Sequence, residues 1–326
     1  PRVRRQRQMC IRDRYNANPS HYCSCYTYGQ FSIRGRILSE SPAPKPAAPT
    51  FESGARAMNE ALQTKGVEAY FADASDPLHK AFIAKAAVHS GPGGRPLIGE
   101  EAEKAIDSHY DTPRSGRSLA YIHVPFCETR CLYCMFYQNP WKEEATTEYA
   151  KQLVKELELW SDRAAQNAAP INALYFGGGT PPAFSPDDIR LVMGAVKKYL
   201  PLANDCEITL EGRIHNFSDA KMDAAIESGV NRFSLGVQTF NTQIRQSVMR
   251  VDDRDTIIRR LDKLCSYNNA SVVCDMIYGF PGQTMEVWED DLKTAASLHL
   301  DGVDCYQLNV FEKSCLLYTS DAADEL

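Results

Sequence analysis

The residues of this chain best suited to chemistry are three cysteines on one short stretch. It reads Tyr121-Ile-His-Val-Pro-Phe-Cys127-Glu-Thr-Arg-Cys131-Leu-Tyr-Cys134-Met-Phe-Tyr-Gln-Asn139, with the spacing C-x3-C-x2-C. Three thiolates on one loop can hold three irons of a [4Fe–4S] cube. The fourth iron is then left open to a substrate or cofactor, which a cluster used only for electron transfer does not need. Structural zinc is the rival reading, and zinc wants a fourth protein ligand nearby. Position 136, where a further Cys could sit, is Phe. Buried thiols without any metal are the remaining alternative.

Other polar and glycine residues stand at the ends of apolar runs. Phe176-Gly-Gly-Gly179-Thr180-Pro-Pro182 follows one such run, and a glycine run there exposes backbone where a ligand can approach closely. Thr209-Leu-Glu211-Gly-Arg213 places a carboxylate at the end of another, where burial is costly unless the group is paired. Ser234-Leu-Gly-Val-Gln238-Thr-Phe240 is followed by Arg250, and Cys274-Asp275-Met-Ile-Tyr278 by Gly-Phe-Pro-Gly-Gln283. Read singly, each has a plain structural explanation: a tight turn at the glycines, a rim salt bridge for Glu211, a solvated Arg250, a hydrogen-bonded core histidine at His123.

The elements that must position these residues alternate from 117 onward. Strands are expected at 119–124, 171–176, 206–211, 232–237, 271–278 and 303–310, and helices at 143–165, 185–199, 218–228, 254–267 and 284–298. Strand runs such as Asn-Ala-Leu-Tyr-Phe are apolar on both faces, as a buried parallel sheet requires. Six strands alternating with five helices give βα units with right-handed crossovers. An open parallel sheet and a partial barrel both satisfy this pattern, and in either the site lies at the C-terminal strand ends. The candidate residues fall there.

The stretch around the cysteines resembles the radical S-adenosylmethionine (SAM) superfamily, whose signature is this spacing. The leading Tyr-Ile-His-Val-Pro-Phe, with Gly-Gly-Gly-Thr-Pro and Gly-Val-Gln-x-Phe, resembles its coproporphyrinogen III oxidase-like branch, whose members handle tetrapyrroles. The resemblance covers about residues 117–314. It implies an α/β fold, the partial (β/α)6 TIM-like barrel, with a mostly helical N-terminal extension and the C-terminal part missing. It implies a [4Fe–4S] cluster on Cys127, Cys131 and Cys134 whose open iron is chelated by SAM. One electron from the cluster then cleaves SAM to methionine and a 5′-deoxyadenosyl radical. It further implies that Tyr121 contacts SAM, that His123 lies near the cluster, and that Tyr133 lies beside the adenine. Gly178, Gly179 and Thr180 are implied to bind the methionine amino group, while Glu211, Gln238, Arg250 and Asp275 help hold SAM, possibly as two molecules.

Three reactions compete within this branch. The first is anaerobic haem breakdown by a methyltransferase that transfers a SAM methyl group to the porphyrin, opens the ring and releases iron. The Asp76-Pro-Leu-x-x-Ala-Phe…Val-His-x-Gly-x-x-Gly segment and Cys134-Met-Phe-Tyr-Gln-Asn-Pro140 resemble that subgroup, which draws electrons from reduced flavodoxin or a similar donor. The second is oxygen-independent coproporphyrinogen III dehydrogenase, which usually carries Cys-x-Cys where this chain has Cys134-Met135-Phe136. The third is a non-enzymatic haem chaperone, which commonly has Cys-Asp-Phe there. His89, His215 and His299 are haem-ligand candidates only by residue type.

Composition sets the remaining bounds. The chain has 326 residues, 44% of them hydrophobic, and a net charge of −6 that gives no reason to expect nucleic acid as a partner. No apolar run approaches the roughly 18 residues of a membrane span, and the basic N-terminus lacks an apolar signal core. Eleven cysteines in a chain of this length, with a cluster motif, point to a reducing cytoplasm, where Cys206, Cys265, Cys274 and Cys305 serve as small buried hydrophobes. Residues 4–14 and 315–325 read as translations of one transposon-library sequencing adapter, once on each strand. Residues 1–14 and 315–326 are therefore expected to be scars and the chain a fragment. Residues 15–51 end in a Pro/Ala linker and are expected to be linker or unstructured. Residues 52–116 are expected to be a helical extension, in which Asp76 caps and Pro77 opens a helix running to His89. The core is expected over 117–314.

Overall fold

The computed structural model describes residues 8–10, 71–72, 75–82 and 97–309, which fall into two units, Asn18–Leu97 and the remainder. The linker at 15–51, most of the extension, His89 and the C-terminal adapter-like segment lie outside the described residues.

The larger unit holds an all-parallel seven-stranded sheet in the order β1-β2-β5-β6-β7-β8-β9. The strands are β1 (Gln8–Cys10), β2 (Ser118–Val124), β5 (Ile171–Gly178), β6 (Leu202–Gly212), β7 (Arg232–Gln238), β8 (Ser271–Tyr278) and β9 (Gly302–Gln307). Two short strands, β3 (Phe126–Cys127) and β4 (Asn139–Pro140), pair with each other and clasp the base of the cysteine loop. From β5 to β9 spatial order follows chain order. Crossovers carry α2 (Glu143–Trp160), α3 (Ala164–Asn167), α4 (Pro186–Tyr199), α5 (Asp219–Glu227), α6 (Thr242–Ser247), α7 (Arg254–Ser266) and α8 (Met285–Ser297). This is the expected partial (β/α)6 arrangement, with a helix, α1 (Gly99–Asp111), before it.

Helix starts follow side-chain chemistry. Ser185 and Asp188 form a reciprocal capping box at α4, with Pro186 at its first turn and Lys197 and Lys198 at its last. Asn241, Asp253 and Thr284 accept from the backbone of Ile244, Thr256 and Val287 to open α6, α7 and α8.

The strands are not apolar on both faces, which corrects the expectation. Side chains alternate across a strand. One face carries Ile122 and Val124, Leu174 and Phe176, Ile208 and Leu210, Phe233 and Leu235, and Cys274 and Met276, all packed into the main core under the helices. On the other face stand Tyr121 and His123, Tyr175, Glu211, Ser234 and Asp275. That polar inner face is where the candidate residues collect.

Two further expectations change, at 143–165 and at 77–89. The helix expected over 143–165 ends at Trp160, and a turn leads into α3. Arg163 in that turn reaches Asp107 and Asp111 and lies over the Trp160 ring, 5.4 Å from its centroid. Gln8–Cys10, in the segment set aside as a scar, pairs with Leu119–Tyr121 as an outer strand. In the smaller unit, residues 77–79 form a turn where a helix is expected. The Asp76 side chain accepts from the His79 backbone and also meets its ring, while Phe71 bridges and stacks on Phe82. A helix through Phe82 would forfeit that pair.

Candidate active site

The cysteine loop leaves the C-terminal end of β2. Cys127 and Cys131 are buried and Cys134 is half-buried. The Cys134 backbone donates to the Cys131 carbonyl, and Cys134 Sγ in turn accepts from the Phe136 N–H at 3.3 Å. The Thr180 hydroxyl, on the loop after β5, lies 3.3 Å from Cys127 Sγ. Burial pushes the Cys127 and Cys134 thiols up. Burial works against the Cys131 thiolate too, but Arg250 and Arg213 outweigh it and hold that thiol below its ordinary value.

The glycine run after β5 is a close-approach surface. A Cβ at Gly177 would lie 2.8 Å from Glu211 Oε2 and 2.9 Å from the Tyr121 ring, and one at Gly179 would lie 2.7 Å from the Phe126 carbonyl and 3.0 Å from Cys127 Sγ. Gly178 has φ +113°, and its Cβ would strike the His123 ring at 2.6 Å. His123 is hydrogen-bonded through both ring nitrogens. Its Nδ1 meets the Tyr121 hydroxyl at 3.1 Å and its Nε2 meets Gln138 at 3.0 Å, on the far side of the cysteine loop.

Farther around the sheet, Arg250 is buried and donates to the Gly236 carbonyl at 2.7 Å and twice to the Tyr133 hydroxyl, at 3.0 and 2.7 Å. That clamp ties the cysteine loop to the end of β7 and disposes of the reading of Arg250 as a solvated charge. Gln238 sits at a register shift opposite β8, with φ +76°, a conformation costly for a side-chain-bearing residue. It is buried, its Oε1 has no partner, and its Nε2 fills the space where a Cβ of residue 236 would stand.

Glu211 and Asp275 face each other across the inner surface, beside Tyr175. Burial, then the charge of Asp275, pushes the Glu211 carboxyl up to about 7. Burial, then Asp304, pushes Asp275 up to about 6. Burial and the two acids push the Tyr175 hydroxyl up as well. Glu211 is the acid of the two that keeps its proton to higher pH.

The structure thus brings together Cys127, Cys131, Cys134, Tyr133, Gly178, Gly179, Thr180 and Arg250 around the loop, with Tyr121, His123, Glu211, Gln238 and Asp275 on the inner face beside it. His215 stands beside the loop, held between Asp252 at 3.0 Å and Glu128, the residue after Cys127, at 3.5 Å. Sequence reasoning missed Tyr175, Gln138 and Arg213. Tyr175 stands two residues before Gly177 on the same strand face, so the period of two could have found it; Arg213 lies just beyond the end of β6, and nothing in the sequence marks it or Gln138.

Among the described residues no three His, Cys, Asp or Glu side chains converge on a single ion position. A cube offers a separate iron to each thiolate and does not require them to. Buried donors and acceptors left without partners, at Arg213 and Gln238, further fit a polar group beside the loop.

A family model described as the radical SAM superfamily matches residues 121–295, the span from Tyr121 to the last described helix. The chain belongs to the radical SAM superfamily. Membership implies a [4Fe–4S] cluster and SAM as cofactors. The chain is 42% identical over 225 residues to anaerobilin synthase of Escherichia coli O157:H7, an alignment covering 69% of this chain and 51% of that protein. It is 31% identical over 218 residues to the oxygen-independent coproporphyrinogen III oxidase of Paracoccus denitrificans, covering 67% and 48%. It is 30% identical over 196 residues to the heme chaperone HemW of Bacillus subtilis, covering 60% and 51%. The chain spans about half the length of the curated relatives it matches. Among solved structures, coproporphyrinogen III oxidase (HemN) from Escherichia coli superposes with a TM-score of 0.58 at 23% identity, covering 69% of this chain and 56% of that one, which supports the shared barrel fold. No described helix is long and apolar enough to cross a membrane.

Proposed function

We propose that this protein acts on haem as a radical SAM methyltransferase, adding a methyl group from SAM, opening the porphyrin ring and releasing iron under anaerobic conditions. The observation that carries this reading is the 42% identity to a protein named anaerobilin synthase, together with Cys134-Met-Phe136 after the third cysteine. The coproporphyrinogen III dehydrogenase and haem-chaperone patterns differ at that place. The substrate is haem or a related tetrapyrrole, with no nucleic acid or membrane partner. The setting is the cytoplasm, and the reductant is reduced flavodoxin or a similar donor.

Cys127, Cys131 and Cys134 would hold three irons, leaving the fourth for SAM. When bound, cluster and SAM supply one-electron reductive chemistry, and the protein supplies orientation and exclusion of water. Gly178, Gly179 and Thr180 would offer backbone carbonyls to the SAM amino group. Arg250 fixes the Tyr133 hydroxyl, so the Tyr133 ring is held beside the adenine position rather than free to rotate. Tyr121 is oriented by its bond to His123. Glu211 and Asp275 accept hydrogen bonds from a ribose or an amine, and a cation or donor beside Glu211 drives its proton off near pH 7. Gln238 keeps an unused buried acceptor. A second SAM molecule, as methyl source, is part of this reading.

The test is to incubate cluster-loaded protein without oxygen with haem, reductant and methyl-labelled SAM, and to read the products by mass spectrometry. A labelled methyl on an opened, iron-free tetrapyrrole is expected. Unchanged haem that stays bound overturns the reading in favour of the chaperone.

A further inference from the structure

Asp291 lies in the middle of α8 and is fully buried. A carboxylate in that setting is costly unless its oxygens are hydrogen-bonded, and a well-packed apolar residue often serves stability as well or better. Its partners are three donors, none of them cationic. Oδ1 accepts from the Phe240 N–H at 2.6 Å, and Oδ2 accepts from the Thr239 hydroxyl at 2.7 Å and from Gln283 Nε2 at 3.4 Å. One side chain thus ties together the loop after β7, the loop after β8 and the helix that follows it.

Gln283 passes that hold on. It is buried too. With Nε2 on Asp291, its Oε1 is left to accept from the backbone N–H of Gly279 at 2.8 Å and of Phe280 at 3.2 Å. An acceptor-only carboxylate decides which end of the amide faces which way. The turn it fixes is one that needs fixing, since Gly279 has φ +87° and no side chain to lock it. Phe280 is fully buried and meets the Tyr133 ring at 5.4 Å between centroids and 62° between planes. Tyr133 belongs to the cysteine loop, and Arg250 holds its hydroxyl. Arg250 therefore fixes the tip of that ring, and Phe280 packs on its body.

We propose that Asp291 is a positioning residue for the adenosyl half of SAM: it orients Gln283, which fixes the Gly279–Phe280 turn and so holds the Phe280 ring on Tyr133. This rests on Tyr133 standing beside the adenine.

The experiment is calorimetric titration, without oxygen, of cluster-loaded wild-type protein, D291N, Q283L, the double variant, Y133A and L157A. The probes are SAM, 5′-methylthioadenosine, which carries the adenosyl half, and methionine, which carries the other. Asn keeps an acceptor for Phe240 and sets a donor against Gln283 Nε2. Q283L breaks the same link from outside the helix and carries the test if D291N does not fold. D291N and Q283L are each expected to weaken SAM and 5′-methylthioadenosine roughly tenfold, the loss of one charge-assisted hydrogen bond. Methionine binding is expected to stay at wild type, and the double variant to bind no worse than either single one. L157A, destabilised in the distant core, is expected to bind all three as wild type does. Unchanged adenosyl binding in D291N and Q283L while Y133A loses it overturns the proposal alone. Equal losses for methionine, additive losses in the double variant, or losses in L157A also overturn it, since Asp291 would then serve only stability. Unchanged adenosyl binding in Y133A overturns the placement of Tyr133, and the proposal with it.

Discussion

Glu211→Gln is expected to stabilise the cofactor-free protein at pH 8 and to do nothing for it at pH 4.5. The Glu211 carboxyl is raised from 4.5 to about 7 by burial and by Asp275. Between those values the folded protein binds a proton that the unfolded chain releases. Stability that is fully present below the unfolded pKa is therefore lost as pH rises through the folded one, and the loss is complete above about pH 7. At about 1.4 kcal/mol for each pH unit, the carboxylate costs the fold about 3 kcal/mol at pH 8. Gln copies the neutral acid in shape and keeps a partner for Tyr175, so it should recover about 1–3 kcal/mol, the lower figure applying if Asp275 ionises more easily once its neighbour is neutral. Urea unfolding of both proteins at pH 4.5, 6 and 8 measures this directly. A difference that does not vary with pH, or a Gln variant less stable than wild type at pH 8, would refute the reasoning. A site that tolerates this cost without its ligand is one whose ligand repays it, as activity-bearing sites commonly do.

Other consequences can be checked as readily. Gly179→Ala forces a Cβ against the Phe126 carbonyl and Cys127 Sγ and should abolish most iron uptake. Gly194→Ala, in the middle of α4 with nothing within 4 Å, should load normally and gain up to about 1 kcal/mol in stability; equal iron content in the two variants would sink the close-approach argument. Arg250→Met removes the clamp between Gly236 and Tyr133 and should weaken SAM binding at least tenfold by calorimetry, whereas Tyr133→Phe, which keeps the ring, should lose less; the reverse order would contradict the assignment. Leu157→Ala, under α2 in the main core and fully buried, should cost roughly 2–5 kcal/mol in urea without changing the potential of the loaded cluster.

The framework was legible because buried parallel strands and amphipathic helices leave strong patterns. The observed strand and helix limits fall within a few residues of those expected, apart from the early start of β6 at Leu202 and the early end of the helix over 143–165. What stayed hidden depends on contacts distant in sequence. The break at Trp160 follows from Arg163 reaching Asp107 and Asp111. The six-residue α6 is too short for a period and rests on the Asn241 cap and on Arg245, which is buried and bonded to the Val237, Thr239 and Asp252 carbonyls. At the site, the cysteines, glycines and Glu211 announced themselves by type and place. The Arg250–Tyr133 clamp did not, since only folding brings residues 117 positions apart within reach. Asp76 misled because an Asp-Pro start serves a turn as well as a helix.

The central claim is that Cys127, Cys131 and Cys134 hold a cluster with one iron open to SAM. Electron paramagnetic resonance of the reduced, reconstituted protein with and without SAM tests it most directly. The account predicts a [4Fe–4S] signal whose g-values shift on adding SAM, lost on replacing any of the three cysteines by Ala and retained on replacing Cys206 or Cys274. A signal indifferent to SAM, or one that survives loss of Cys134, would contradict it.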